Sequence, residues 1–173
     1  LALGMARQLK PGDEILITDI DHEGNRSPWR TLEDFGVVVK SVKIHPEAIT
    51  LDFEDFRSKL TDKTKVLAIN WAANSCGTIT DVKKFIDEAH RVGAITVVDA
   101  VQYAPHKVLD VKAVGMDILL CSAYKFFGPH LGIIYCKKDV GEQIKTARVM
   151  AYDNVEMPYR LETGTIAMEA VVG

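Results

Sequence analysis

The sequence is poor in cysteine, has no surplus of basic charge and contains no long hydrophobic run. Its three cysteines, Cys76, Cys121 and Cys136, form no CxxC pair. An odd number of cysteines without that spacing argues against a disulfide framework and a zinc site, and favours a reducing, cytoplasmic compartment. With a formal net charge of −3, we expect neither nucleic acid nor an anionic membrane as a partner.

The longest apolar runs, such as 94–98 and 118–121, are far shorter than the about 20 residues of a membrane-spanning helix. Nothing at the N-terminus has the pattern of a signal peptide. The chain starts without methionine, inside what reads as the last part of a helix, and the apolar stretch 167–173 reads as unfinished. We therefore expect a piece of a longer protein.

What the sequence does contain is a regular alternation of apolar strands and amphipathic helices. Strands are predicted at 14–18, 37–44, 65–70, 94–99, 117–121 and 131–136, and helices at 1–9, 29–35, 52–60, 81–92 and 139–147. Nearly continuous apolar strands indicate a sheet covered by helices on both faces, a three-layer α/β/α fold. The loop 122–130 is too short for a parallel crossover, which predicts an antiparallel last pair in a mixed, mostly parallel sheet. Residues 150–164 read as an extended loop.

Polar side chains stand at or just beyond the carboxyl ends of several predicted strands. Ligands of open α/β sheets bind at that edge. The residues at these positions are His22, Asn74, Asp99, Ser122 and Lys125.

Lys125 is the most informative of these residues. A lone lysine between strands is most often a solvated surface residue. Here Phe126, Phe127 and the pair Gly128-Pro129 follow it directly, which predicts a partly desolvated amine. Desolvation lowers the pKa of an amine, and Schiff-base chemistry needs the neutral amine.

Five segments together resemble one protein family. They are DHEGNRSPW (21–29), NSCGT (74–78), VVDAVQYAPH (97–106), SAYKFFGPHLG (122–132) and RLETGT (160–165). Spaced and ordered in this way, they resemble the class V aminotransferase family of fold-type I pyridoxal 5'-phosphate (PLP) enzymes, and most of all its cysteine desulfurase-like branch. The resemblance covers essentially the whole chain, whereas any single segment would be a weak signal.

The resemblance implies roles for three residues at the centre of the chemistry. Lys125 would form the Schiff base with the PLP aldehyde and then move a proton at the substrate α-carbon. Asp99 would pair with the protonated pyridine nitrogen, which keeps the ring an electron sink. Gln102 would bind the phenolic oxygen. From the residues alone, Asp99 reads equally well as a strand-end turn or cap, and Gln102 as a surface residue.

The resemblance also implies further cofactor contacts. His22 would stack on the ring and assist proton transfer, and Asn74 would lie near the phenolic oxygen. Ser122 and Tyr124 would bind the phosphate. Thr165 would reach the phosphate of a neighbouring subunit, which implies a homodimer with a shared active site. Without the resemblance, an exposed histidine, a turn asparagine, a loop cap and an ordinary loop threonine are the simpler interpretations.

The sequence departs from the family pattern in several places. Tyr124 replaces a histidine that usually precedes the lysine, and Glu23 replaces a second histidine of many desulfurases. We expect a partial PLP-binding large domain over 1–173, without the upstream phosphate-binding turn or the C-terminal small domain, and therefore weak PLP binding. Cys121 and Cys136 are predicted to be buried packing residues, and Cys76 lies in a loop beside Asn74.

The function implied is PLP-dependent turnover of an amino acid, with cysteine desulfuration as the leading reaction. Sulfur would pass to a cysteine outside this chain, and then to a possible acceptor protein, leaving alanine. Transamination, epimerisation or β-elimination on another amino acid are alternatives, as is a cofactor-free, non-catalytic fragment. A Rossmann-type dinucleotide site is excluded because no GxGxxG turn follows the first strand.

Overall fold

The computed structural model describes residues 1–146, 155–162 and 164–173. Its strands are β1 (Glu14–Thr18), β2 (Val38–Val42), β3 (Ile44–His45), β4 (Thr50–Leu51), β5 (Thr64–Asn70), β6 (Ile95–Asp99), β7 (Ile118–Ser122) and β8 (Gly132–Cys136). Six of them form one sheet in the order β2-β1-β5-β6-β7-β8, and β3 pairs with β4 in a short hairpin. Neighbours in the large sheet are parallel except β7 and β8, which are antiparallel. The predicted mixed, mostly parallel sheet is confirmed.

The helices connect these strands. They are α1 (Ala2–Ala6), α2 (Ser27–Arg30), α3 (Phe53–Lys59), α4 (Val82–Arg91), α5 (Val111–Val114), α6 (Lys138–Gln143) and α7 (Met168–Val172). Single 3-10 turns occupy 23–25, 31–35, 123–126 and 159–161. The carboxylate of Asp52 begins α3 by accepting a hydrogen bond from the N–H of Asp55, as expected of an N-cap.

Alternate residues of β5 belong to two separate hydrophobic cores. Leu67 and Ile69 face one side, where Phe56 of α3 and Phe85 of α4 cover the sheet. The intervening residues of β5 face the other side, which α1, α2 and the 31–35 turn cover. Because a strand turns successive side chains to opposite faces, the sheet is the middle layer of three, as the apolar strands predicted.

Several boundaries differ from the predictions. The helix predicted at 1–9 ends at Ala6, and the one predicted at 139–147 ends at Gln143. Ile144 leaves the helix in an extended conformation and is buried in the core, so burial of this one side chain ends α6. The strand predicted at 37–44 divides into β2 and β3, and α5 was not predicted.

Some expectations fall at the edge of what the structure describes. The extended loop predicted at 150–164 lies largely outside the described residues, and its described part contains the turn at Tyr159–Leu161. The last residue of the helix predicted at 139–147 lies outside them as well. In the described ranges, no helix has both the length and the apolar character needed to cross a membrane.

At the edge where β6 and β7 begin, a buried carboxylate is fully hydrogen-bonded. Asp117 accepts hydrogen bonds from the N–H and hydroxyl of Thr96, from Nζ of Lys137 and from Nε2 of His90, each at 2.8 Å. These bonds join α4, β6, β7 and the residue after β8. The opposite edge, where the parallel strands end, contains a cleft instead.

Candidate active site

A cleft of about 290 Å³ opens at the carboxyl edge of the sheet. The segments that follow β1, β5, β6 and β7 form its walls, because parallel strands place their carboxyl ends side by side. All of the residues predicted to bind the cofactor line this cleft except Thr165: His22, Asn74, Asp99, Gln102, Ser122, Tyr124 and Lys125. Thr165 is exposed, outside the cleft lining, and its role across a subunit boundary stays a prediction.

Asp99 ends β6 in the middle of the sheet, next to Asn70 of β5. Its Oδ1 accepts a hydrogen bond from the N–H of Val101 at 2.8 Å. Burial raises the pKa of this carboxyl, although the bond from Val101 and the nearby His22 act in the opposite direction. Asp99 is therefore both a strand-end turn residue and a half-buried acid at the cleft, so the two interpretations are compatible.

Lys125 lies in the 3-10 turn Ala123–Phe126 directly after β7. Its Nζ is 5.2 Å from the ring centroid of Tyr124, and the side chain is exposed. The expectation that Phe126 and Phe127 enclose the amine is wrong, since both rings are exposed to solvent.

The reason for that exposure is the backbone. Phe127 adopts a left-handed conformation with φ 68° as the turn ends. At Gly128 the chain passes so close to Ala123 that a Cβ would lie 2.9 Å from the Ala123 Cβ. This tight return directs the two aromatic rings away from the cleft while Lys125 borders it.

His22 begins the 3-10 turn Glu23–Asn25 that follows β1. Its Nδ1 accepts a hydrogen bond from the N–H of Gly24 at 2.9 Å. Since Nδ1 accepts, the ring proton lies on Nε2. Glu23, which stands in place of the family's second histidine, instead contacts Arg26 and Ser27 and is absent from the cleft lining.

Two aromatic rings hold the next two loops together. Trp71, just after β5, stacks on Tyr103 with ring centroids 4.0 Å apart and an angle of 9° between the rings. Asn74 and Gln102 lie in these loops and line both the cleft and an adjoining depression. The stack therefore fixes the separation of the two amide side chains at the cleft.

The cysteines differ in burial and reactivity. Cys121 is buried and lines the cleft, and burial, with the charge of Asp99, raises its pKa to about 11. Burial also raises the pKa of Cys136 to about 11, although this side chain is only partly buried. Cys76 is exposed, and a hydrogen bond with Thr78 lowers its pKa. Within the described residues, no cluster of side chains suits a metal ion.

One cleft residue was missed by the sequence reasoning. Asp21 is 8% exposed and borders the cleft beside His22. Burial raises the pKa of its carboxyl to about 7, a hydrogen bond from Asn25 opposes the rise, and the charge of Asp99 adds to it. The only sequence signal was an acidic residue directly before the histidine, in a segment that reads as a polar loop.

Comparison with known proteins gives one consistent family. Residues 1–173 match the family described as Aminotransferase class-V. An aminotransferase-like protein of Gibberella zeae is 38% identical over 149 residues, which cover 83% of this chain and 37% of that protein. A probable cysteine desulfurase of Halalkalibacterium halodurans is 34% identical over 177 residues, which cover 95% of this chain and 43% of that protein.

A solved structure agrees with these relatives. The cysteine desulfurase CsdA of Escherichia coli, in an S-sulfonic acid form, superposes with a TM-score of 0.88 at 25% identity. The match covers 99% of this chain and 47% of that one. The chain thus spans less than half the length of each of these three proteins.

Proposed function

The chain belongs to the class V aminotransferase family, and we propose that it forms part of the PLP-binding domain of an enzyme that acts on an amino acid. The observation that carries this proposal is the cleft itself. Three separate segments, which follow β1, end β6 and follow β7, bring the imidazole of His22, the carboxyl of Asp99 and the amine of Lys125 to one place. The reaction we propose first is sulfur transfer from cysteine, because relatives along nearly the whole chain are named cysteine desulfurases.

The residues present fit PLP. The cleft volume of about 290 Å³ is close to the lower limit of the range for small-molecule sites, about 300 to 1,000 Å³. Among the described residues, only the N–H of Val101 donates to the Asp99 carboxylate, and it does so at Oδ1, so Oδ2 is available to a ligand. When bound, PLP withdraws electrons from the α-carbon of an amino acid.

Two residues carry the central roles in this proposal. Lys125 would hold the cofactor through Nζ, and that nitrogen would carry a proton to or from the substrate α-carbon. Asp99 would accept a hydrogen bond from the pyridine nitrogen and keep that nitrogen protonated. Its half-buried position supports this role, because a charge–charge contact is stronger away from bulk water.

The other cleft residues orient the cofactor. Gln102 and Asn74 would donate amide hydrogens to the phenolic oxygen, and the Trp71–Tyr103 stack holds their loops together. Ser122 and Tyr124 would donate hydroxyl hydrogens to the phosphate.

His22 supplies a proton donor at Nε2, because its Nδ1 is occupied by the Gly24 N–H. We propose that this nitrogen contacts the cofactor and takes part in proton transfer.

The sulfur chemistry needs a thiolate outside the cleft residues described here. In the proposed reaction the Cβ–S bond of cysteine breaks, an S–S bond forms with an acceptor thiol, and alanine is released. With a pKa of about 11, Cys121 is protonated at neutral pH and is a poor nucleophile. Burial raises the pKa of Cys136 to about 11 as well, and Cys76 is exposed and does not line the cleft. We therefore propose that the acceptor is a cysteine outside this chain, which passes sulfur to a separate acceptor protein. We also propose that Thr165 completes a shared site in a homodimer.

Transamination is the second candidate, and one observation favours it. The relative with 38% identity is an aminotransferase-like protein. Product analysis separates the two reactions: cysteine converted to alanine and persulfide supports desulfuration, whereas a keto acid from another amino acid supports transamination. Racemised substrate or a β-elimination product would identify the remaining alternatives of this family.

The proposal is tested by trapping the cofactor. The protein is incubated with PLP, reduced with borohydride and digested, and the labelled peptide is identified by mass spectrometry. We expect the label on Lys125 and its loss in Lys125→Ala. Lys112→Ala, which changes an exposed lysine of α5, is the matched control and should keep the label. A label absent from Lys125 in the full-length enzyme overturns the proposal.

A further inference from the structure

Asp21 is a buried acid without a cationic partner. It is 8% exposed, and no ion pair among the described residues includes it. The nearest arginine in sequence, Arg26, contacts Asp19 and Glu23 instead. A buried, ionised carboxyl group without a paired charge destabilises the fold. The hydrogen bonds that Asp21 accepts should therefore show what the group does.

Both oxygens of Asp21 hold the turn that carries His22. Oδ1 accepts a hydrogen bond from the main-chain N–H of His22 at 2.8 Å. Oδ2 accepts one from Nδ2 of Asn25 at 2.7 Å, and Oδ1 of Asn25 accepts one from Nε1 of Trp29 at 3.3 Å. Asn25 and Trp29 are each 2% exposed, so the series of hydrogen bonds anchors the turn in the core.

His22 is thus held at two points. Asp21 fixes its main-chain nitrogen, and the N–H of Gly24 fixes Nδ1 of its ring at 2.9 Å. There is little free space on that side, since a Cβ on Gly24 would lie 3.1 Å from Nδ1. The second contact exists only while the 22–25 turn keeps its shape. The main-chain hydrogen bond from the N–H of Asn25 to the carbonyl of His22 closes that turn at 2.9 Å, and the Asp21–Asn25 hydrogen bond supports it from the side chains.

We propose that Asp21 is a positioning residue that fixes the His22 imidazole at the cleft with its proton on Nε2. Asp21 acts through hydrogen bonds, and its two acceptor oxygens are the property that matters. This inference rests on the proposed function only for its catalytic consequence, because the state of the His22 ring is measurable without cofactor.

The order of donors and acceptors suggests a specific set of variants. In Asp21→Asn, the side-chain NH2 of the new asparagine faces the side-chain NH2 of Asn25. The hydrogen bond between residues 21 and 25 is therefore lost. If Asn25 rotates to repair it, Trp29 loses its acceptor. In the double variant Asp21→Asn with Asn25→Asp, all three hydrogen bonds can form again with the donor and acceptor exchanged. Asp110→Asn is a matched control, because Asp110 caps α5 away from the cleft.

The first measurement is the ¹⁵N chemical shift of the two His22 ring nitrogens in the cofactor-free protein. We expect the Nε2–H form in the wild type and in Asp110→Asn, a mixture of both forms in Asp21→Asn, and recovery of Nε2–H in the double variant. The double variant is the decisive arm, because it restores the three hydrogen bonds while position 21 carries no acid.

The second measurement is steady-state kinetics of the PLP-loaded enzyme. We expect kcat of Asp21→Asn to fall on the order of 10-fold with little change in KM, since misplaced catalytic groups affect the chemical step, and to recover in the double variant. Unchanged ring nitrogens in Asp21→Asn, or a double variant as impaired as Asp21→Asn, overturns the inference. Failure of PLP to label Lys125 would instead overturn the proposed function and leave the ring measurement valid.

Discussion

The two edges of the six-stranded sheet each contain a buried carboxyl group, but the hydrogen-bond donors around these two groups differ. At the edge where β6 and β7 begin, Asp117 is 7% exposed and has the cation of Lys137 at 2.8 Å. At the edge where the parallel strands end, Asp21 is 8% exposed and receives hydrogen bonds from a main-chain N–H and an amide. The exposed fractions of the two acids are similar, but Asp117 has a cation beside it, whereas Asp21 has none and lies near the charge of Asp99.

That difference decides their pKa values. Burial acts to raise the pKa of Asp117, but hydrogen bonds from Lys137, Thr96 and His90 outweigh it and hold the pKa below its ordinary value. The pKa of Asp21 is raised to about 7. The amino edge of the sheet therefore stabilises the fold, whereas the carboxyl edge keeps beside the cleft a carboxyl group whose ionisation is costly.

Removal of Asp117 should have the largest effect on stability. Asp117→Ala leaves Lys137 without its anion and removes the acceptor of Thr96, and loss of one partner of a buried pair costs about 3 to 5 kcal/mol. Urea unfolding at neutral pH measures the loss. Asp110→Ala removes an exposed helix cap and should cost about 1 kcal/mol. Equal losses in the two variants would contradict the contrast between the edges.

The pH dependence of stability should show the effect of Asp21. A carboxyl whose pKa is raised in the folded protein destabilises the fold as the pH rises from its ordinary value of 3.8 to about 7. Between about pH 5 and about pH 8, the free energy of unfolding should fall by about 2 to 3 kcal/mol more in the wild type than in Asp21→Asn. Parallel pH profiles for the two proteins would show that the carboxyl ionises normally.

Two substitutions by apolar residues, one at each edge, should change the free energy of unfolding least. Their effects on stability should have opposite signs. Thr96→Val removes a hydroxyl that donates to Asp117 and should cost about 1 to 2 kcal/mol. Asn70 is 2% exposed, and its amide has no hydrogen-bond partner among the described residues. Asn70→Leu should therefore be neutral or stabilise by about 1 kcal/mol. Thermal unfolding of both variants tests this, and destabilisation by Asn70→Leu would contradict it.

The layered sheet could be predicted from the sequence because apolar periodicity reports burial directly. The bounds predicted for the first strand are those of β1, and the short loop 122–130 correctly indicated that β7 and β8 are antiparallel. The location of the cleft followed from the same reasoning, since the polar residues at strand ends had to meet at one edge.

The environment of individual side chains could not be predicted in this way. Phe126 and Phe127 have an apolar composition that suggested enclosure, but the left-handed backbone at Phe127 directs them to solvent. Asp21 was missed because its burial depends on packing of the 21–25 turn against β5 and α2, which no local pattern reports. Backbone conformation and tertiary packing therefore determine the exposure of these side chains, which the apolar periodicity of the sequence does not predict.

The stack of Trp71 on Tyr103 gives the chain an optical reporter of its own. The chain has two tryptophans. Trp29 is 2% exposed in the core, so its emission should stay constant when the cleft changes. Trp71 touches an aromatic ring of the neighbouring loop at 4.0 Å, so its emission depends on the distance between the loops that carry Asn74 and Gln102. Fluorescence of Trp71 would therefore report any change in that distance without an attached dye.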